Sequence, residues 1–323
     1  MSITTAVIVV AGFGTRFAPA TKEQPKEMFP IMNKPIVHHI VEQLSDAGIE
    51  SFILVMRPNE NTTQRYFARN LVYEAHLKKK GKQELLAEFE RINNFGHFAN
   101  TTQDHQKGDG HALLKAIFDR SKNESFLVVF PDFLVKPEEK IFSRMLAAYD
   151  EYYAPIVAMD TAPIEELSNY GVLGFDDQTS NRVRRITQLV EKPKRVEDAP
   201  SQCFSIGYTI VTSDLIKYLR RVESTVDDGE IRIADALTKM LEDGKEVYGV
   251  QLKEKGYDCG QPEGWLEANI DFALKGPDQD RVREMLLKKC QQVNLLQEAQ
   301  AAIEHGSGSD QAETVFQTGW HSD

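Results

Sequence analysis

Along the first half of the chain, short β-branched runs alternate with stretches whose apolar residues recur every three or four positions. Residues 6–11 (AVIVVA) form one such run and stop at Gly12-Phe13-Gly14, which predicts a buried strand leading into a tight turn. Between Lys34 and Ala47, the side chains Ile36, Val37, Ile40, Val41 and Leu44 share one helical face, and Gly48 supplies a stop. Residues 52–56 (FILVM), 126–130 (FLVVF) and 156–159 predict three more buried strands, with helices over 111–120 and 138–149. This alternation predicts an α/β fold built on a mostly parallel, Rossmann-like sheet flanked by helices.

Beyond about residue 160 the pattern loses that regularity. Strands are expected at 172–175, 183–190 and 204–211 and helices at 231–241 and 265–274, which makes this half mixed. Within residues 66–91, Leu77, Leu85, Leu86 and Phe89 sit at helix-compatible positions, so an inserted helical pair is expected, with Lys78-Lys79-Lys80 on a solvated face. Val282, Met285, Leu286, Val293, Leu296 and Ala299 predict a terminal helix over 281–303, for packing or self-association. The segment after His305 (GSGSDQ) has linker composition and is expected to be disordered. The expected division is a domain over 1–275, with halves 1–160 and 161–275, then a helix within 276–304 and a tail over 305–323. No internal repeat is found.

Composition narrows the class. At 323 residues and 41% hydrophobic content the chain can bury a full core. It has no run of about 18 apolar residues and no basic segment before the first strand, so neither a membrane span nor a signal peptide is expected. Cys203, Cys259 and Cys290 are too scattered for a disulfide framework or a Cys-x-x-Cys metal site, which fits a reducing, cytoplasmic compartment. Lys and Arg number 38 against 49 Asp and Glu, a net charge of −11 that argues against nucleic acid as a partner.

Against that acidic background the first 35 residues carry Arg16, Lys22, Lys26 and Lys34 with only Glu23 and Glu27, a local balance of +2. The positive charge adjoins the glycines. A dinucleotide fingerprint needs a small residue at position 17 and a Walker A loop needs Gly-Lys at 17 and 18, yet the chain has Phe17-Ala18, so both fail. Glycines that let backbone N–H groups approach an anion, with Arg and Lys beside them, suit the polyphosphate of a nucleoside triphosphate.

The run from Gly12 through Thr15-Arg16, Ala20-Thr21-Lys22 and Pro25-Lys26-Glu27-Met28 resembles the signature of the sugar-nucleotide pyrophosphorylases. Further matches follow in order: Gln103 with 108–111, Pro131-Asp132, Tyr170-Gly171-Val172, Val190-Glu191-Lys192-Pro193, Gly229-Glu230-Ile231 and Tyr257-Asp258-Cys259-Gly260. Together they span most of 6–275. The Ala-Thr-Lys, Pro-Lys-Glu-Met and Tyr-Asp-Cys-Gly elements and the lysine-rich insertion resemble the bacterial branch that joins UTP to glucose 1-phosphate. The resemblance implies a nucleotidyltransferase, GT-A-like fold with a sugar-binding second half. It also implies Mg²⁺ as cofactor, UDP-glucose and pyrophosphate as products, and a homo-oligomer, dimer or tetramer.

By the same resemblance, Arg16 holds the leaving pyrophosphate and Lys26 reaches the α-phosphate. Ala11, Gly12, Gly14, Thr15 and Gly108 give close contacts to the nucleotide, and Gln103 reads uracil through an amide with one donor and one acceptor face. Gly171 and Glu191 bind sugar hydroxyls and Lys192 the sugar phosphate. Asp132, expected at the mouth of a strand where open α/β sheets bind ligands, and Asp258, in a glycine-containing loop, are the implied Mg²⁺ ligands. The adjacent His38-His39 are given no role, and one of the two is expected to face solvent.

Two segments depart from the family pattern: Tyr208 follows Gly207 where Gly-Arg-Tyr is usual, and Arg232-Ile233-Ala234-Asp235 replaces Gln-Leu-Thr-Asp. Both lie in the expected sugar half and leave the sugar open. The competing readings are a thymidylyl or N-acetylglucosamine-phosphate uridylyl enzyme and a non-catalytic sugar-nucleotide sensor. A sensor would not need Lys26, Asp132 and Asp258 together. An NAD-dependent dehydrogenase is opposed by Phe17 and by Met56-Arg57 after the second long strand.

Overall fold

The computed structural model describes residues 3–118, 124–176, 182–223 and 229–292. Strands β1 (Thr5–Val10), β2 (Pro30–Ile31), β3 (Lys34–Pro35), β4 (Ser51–Met56), β5 (His97–Thr102), β6 (Phe126–Val129) and β7 (Phe133–Leu134) come from the first half. The second supplies β8 (Ile156–Thr161), β9 (Gly171–Phe175), β10 (Val183–Glu191), β11 (Cys203–Val211), β12 (Tyr248–Gln251) and β13 (Tyr257–Asp258). Nine of these form one sheet in the order β5-β4-β1-β6-β11-β8-β12-β10-β9. The pairs β5–β4, β4–β1, β1–β6 and β8–β12 are parallel, and β11 and β10 run against their neighbours. The parallel first half and mixed second half follow the expectation.

Apolar runs end up in the sheet because both of its faces are covered. Val7, Ile8, Leu54, Val55, Leu127 and Val128 are fully buried. Helix α1 (Ile36–Asp46) buries the predicted stripe, and it buries both His38 and His39 as well, which corrects the expectation that one faces solvent. The reason is coverage on two sides. His38 Nδ1 lies 2.8 Å from the Tyr66 hydroxyl of the insertion, and His39 Nε2 lies 3.3 Å from the Ile31 carbonyl. Burial drives the His38 pKa down to about 3, so the ring is neutral.

The insertion contains α2 (Thr62–Phe67) and the expected pair, α3 (Leu71–Lys79) and α4 (Gln83–Asn93). The remaining helices are α5 (Asp109–Ala116), α6 (Ile141–Tyr152), α7 (Ser213–Glu223), α8 (Ile233–Glu242), α9 (Pro262–Lys275) and α10 (Gln279–Gln292). Sequence periodicity missed β5, whose HFANTT lacks an apolar alternation because it is a largely exposed sheet edge. It also missed α7, a charged helix with a narrow stripe of Leu215, Ile216 and Leu219. The chain separates into compact units Met1–Ala268 and Asn269–Asp323, the second holding α10. Residues 119–120 of the predicted helix 111–120, positions 293–303 of the terminal helix and the tail lie outside the described residues. No described helix is long and apolar enough to cross a membrane.

Candidate active site

The chain leaves β1 through Gly12 and Gly14 and returns over them. Gly14 adopts φ 62°, its carbonyl accepts from Phe17 N at 3.0 Å and from Thr21 Oγ1 at 2.9 Å, and the loop tightens into short helical turns. Phe17 is wedged edge-on against Phe29 and Trp265, with ring centroids at 5.0 and 6.4 Å. The turn Lys26–Met28 then lays the Lys26 side chain across both glycines: a Cβ on Gly12 would stand 3.7 Å from Nζ, and one on Gly14 would stand 3.2 Å from the Lys26 Cβ. Lys26 Nζ donates to Asp132 Oδ2 at 2.6 Å. Arg16 is exposed in the turn Thr15–Phe17, near enough to Tyr170 for its charge to be felt there.

Glu27, the next residue, is fully buried. Burial lifts its pKa to about 8, Lys26 opposes the shift, and Asp132 and Glu60 add to it. Thr63 Oγ1 lies 3.4 Å from Glu27 Oε1, while Glu27 Oε2 has no hydrogen-bond partner among the described residues.

Sequence spacing could not bring Asp132 and Asp258 together; a two-strand ladder does. Asp132 follows β6 by way of Pro131, and β7 pairs antiparallel with β13 so that Phe133 faces Asp258. Asp258 therefore belongs to a strand end and not to an open loop. Its Oδ1 accepts from Gly260 N at 3.0 Å and its Oδ2 from the Tyr170 hydroxyl at 2.6 Å. A Cβ on Gly260 would sit 2.9 Å from Asp258 Oδ1 and 3.7 Å from Asp132 Oδ2, so the two carboxylates flank one small residue. Burial, then the hydrogen bond to Asp258, raises the Tyr170 pKa and keeps it a neutral donor. The described residues hold no cluster of three or more His, Cys, Asp or Glu able to bind a metal. Two hard carboxylates suit a divalent cation bound through oxygen.

At the other edge of the loop, Gln103 is buried at the end of β5. Its Nε2 donates to the Gly108 carbonyl at 2.9 Å and lies 3.2 Å from His111 Nδ1, so the amide's donor side already serves the protein. Gly108 sits at φ 89°, and a Cβ there would collide with the Ile231 carbonyl, so both the backbone and the space call for glycine. Ile231 N donates to Lys107 O at 2.7 Å and its carbonyl accepts from Gly110 N at 2.8 Å, which makes Gly229-Glu230-Ile231 a brace for the Gly108 turn. Gln106, which the sequence reading passed over, donates from Nε2 to Ala11 O at 2.6 Å and ties this turn to the glycine loop. A cleft of 530 Å³ opens between them, lined among others by Phe13, Lys22, Arg57, Gln103 and Gln106.

Gly171 and Glu191 are cross-strand partners in β9 and β10, and a Cβ on Gly171 would come within 2.8 Å of Glu191 Oε2. Lys192 follows at φ 48°, its N–H held by Tyr170 O at 3.0 Å and its Nζ 3.7 Å from Glu191 Oε1. Lys26 thus pairs with Asp132, Asp258 with Tyr170 and Tyr170 with Lys192, Gly260 lying between the two carboxylates, while Gln106 joins Ala11 to the turn that holds Gln103. Among the described residues no hydrogen bond or ion pair joins Arg16 to the Lys26–Asp132 pair.

Comparison with known proteins matches residues 5–274 to the Nucleotidyl transferase family. UTP–glucose-1-phosphate uridylyltransferase of Staphylococcus epidermidis is 31% identical over 284 residues, 88% of this chain and 97% of the relative. The enzyme of that name from Pseudomonas aeruginosa is 35% identical over 260 residues, 80% and 91%. The UTP-bound UGPase of Acinetobacter baumannii superposes with a TM-score of 0.79 at 31% identity, covering 88% of this chain and 99% of its own. A UDP-glucose pyrophosphorylase complexed with UDP-glucose gives 0.75 at 33% identity, covering 85% and 100%.

Proposed function

The chain belongs to the nucleotidyl transferase family, and we propose that it transfers the uridylyl group of UTP to glucose 1-phosphate, giving UDP-glucose and pyrophosphate. A phosphate oxygen of the sugar attacks the α-phosphorus while the bond to the β-phosphate oxygen breaks, its electron pair leaving with pyrophosphate. The sugar phosphate, with a second pKa of about 6, is largely a dianion at neutral pH, so no protein base or nucleophile is required. What the chain must supply is alignment of two anions and stabilisation of the charge building on the phosphate oxygens.

In this reading the backbone at Ala11, Gly12, Gly14 and Thr15 cradles the triphosphate, Arg16 holds the leaving pyrophosphate and Lys26 meets the α-phosphate. Gln103, its Nε2 engaged with Gly108, accepts the uracil N3–H on its carbonyl oxygen. Gly171 and Glu191 hold sugar hydroxyls and Lys192 the sugar phosphate. Asp132 and Asp258 would hold a divalent cation, read here as Mg²⁺, which when bound neutralises charge on the triphosphate.

The gathering of Lys26, Asp132 and Asp258 around Gly12 and Gly260 carries the reading. The names of the two bacterial relatives support UTP and glucose 1-phosphate as the substrates. The same proposal makes the working enzyme a cytoplasmic homo-oligomer, and the exposed Leu71, Val72 and Tyr73 of α3 support self-association. A panel of four nucleoside triphosphates against several sugar 1-phosphates, scored by pyrophosphate release, is the test. Release is expected to be fastest with UTP and glucose 1-phosphate, and preference for another nucleotide or sugar would overturn the assignment.

A further inference from the structure

Tyr208 follows Gly207 in a segment that departs from the family pattern, and its surroundings adjoin Asp132. Gly207 and Tyr208 fall within a register shift of β11 against β8, between Ser205 and Thr209, while Tyr208 stays opposite Val129 of β6. Gly207, at φ 83° and packed on the Phe130 ring, accepts from Phe130 N at 3.1 Å. Tyr208 is 1% exposed, its ring centroid 5.0 Å from that of Phe142, and its hydroxyl donates to the Phe133 carbonyl. Two consecutive residues of β11 therefore tie down Phe130 and Phe133, which bracket Pro131-Asp132. Phe133 is also the ladder partner of Asp258.

We propose that the Tyr208 phenol is a positioning residue that fixes Asp132 and, through the Phe133–Asp258 ladder, sets the geometry of the two carboxylates for their divalent cation. The inference rests on the metal-ligand reading of Asp132 and Asp258. A phenol suits this place. It satisfies a buried carbonyl with one hydrogen bond and brings no charge, whereas a guanidinium at the same depth would need desolvation and would compete with the cation for Asp132.

The test uses Tyr208→Phe, which keeps the ring and removes the donor, beside Phe142→Leu, which loosens the same packing and leaves the hydroxyl, and Asp132→Asn. Mg²⁺ binding in the presence of UTP is measured by calorimetry, together with the Mg²⁺ concentration for half-maximal rate, the KM for glucose 1-phosphate and the Tm. Y208F is expected to weaken Mg²⁺ binding by about fivefold, the cost of one hydrogen bond, with the KM for glucose 1-phosphate unchanged. F142L is expected to lower Tm and leave the Mg²⁺ titration in place. An unchanged titration in Y208F while D132N shifts it, or a shift confined to the KM for glucose 1-phosphate, overturns the inference alone. An unchanged D132N removes the metal reading and the inference with it.

Discussion

Lys26 Nζ and Asp132 Oδ2 form an ion pair at 2.6 Å, joining the segment that follows the glycine loop to the residue that follows β6. Their side chains are 18% and 41% exposed, so the pair contributes little to folding and can be exchanged for ligand contacts at small cost. Its value lies in holding a cation over Gly12 and Gly14.

Replacing Lys26 by Ala is accordingly expected to leave Tm near wild type and to lower turnover by on the order of 10²–10³-fold, the usual loss when one preorganised donor to a transition-state oxygen is removed. Steady-state pyrophosphate release checks this. Turnover close to wild type would remove Lys26 from the mechanism.

Asp132→Asn and Asp258→Asn each exchange a hard carboxylate oxygen for a weaker amide ligand, so both variants are expected to need more Mg²⁺ for half-maximal rate. If neither titration moved, the carboxylates would not be the cation's ligands.

The Tyr170 hydroxyl donates to Asp258 Oδ2 at 2.6 Å and stays protonated, since burial and that carboxylate both raise its pKa. Tyr170→Phe should cost on the order of 1 kcal/mol in cation affinity, and less than Asp258→Asn does. A larger loss in Y170F than in D258N would mean that the phenol touches substrate directly.

Glu27 gives a pH dependence of stability. Its pKa rises on folding from 4.5 to about 8, so the folded state binds the extra proton between those values. The stabilisation is complete below pH 4.5 and is lost as pH rises toward and through 8. In Glu27→Gln that loss is absent, and its Tm should gain on wild type progressively from pH 5 to pH 8. Parallel Tm curves for the two proteins would show that Glu27 is ionised in the fold.

Much of this site was legible in the residues. The apolar run 6–11 with its glycines predicted β1 and the loop, and the ordered motifs pointed to Lys26, Asp132 and Asp258, which the fold brings near one another. What sequence could not supply was proximity: Asp132 meets Asp258 through a ladder of only two residues per strand, too short to leave an alternation pattern. Gln106 reaches Ala11 across 95 positions, and a lone glutamine carries no signal of that contact. The His38-His39 expectation failed because helical periodicity describes one buried face, whereas α1 is covered by the insertion and by the β2–β3 hairpin together. Gln103 was read as offering both edges of its amide, and only the structure reveals that Gly108 takes the donor.

The most direct measurement is to incubate the purified chain with UTP, glucose 1-phosphate and Mg²⁺ and to quantify nucleotide sugar and pyrophosphate over time. UDP-glucose and pyrophosphate appearing in equal amounts, and only when all three components are present, is the result expected. Hydrolysis of UTP without UDP-glucose, or no turnover at all under these conditions, would contradict it.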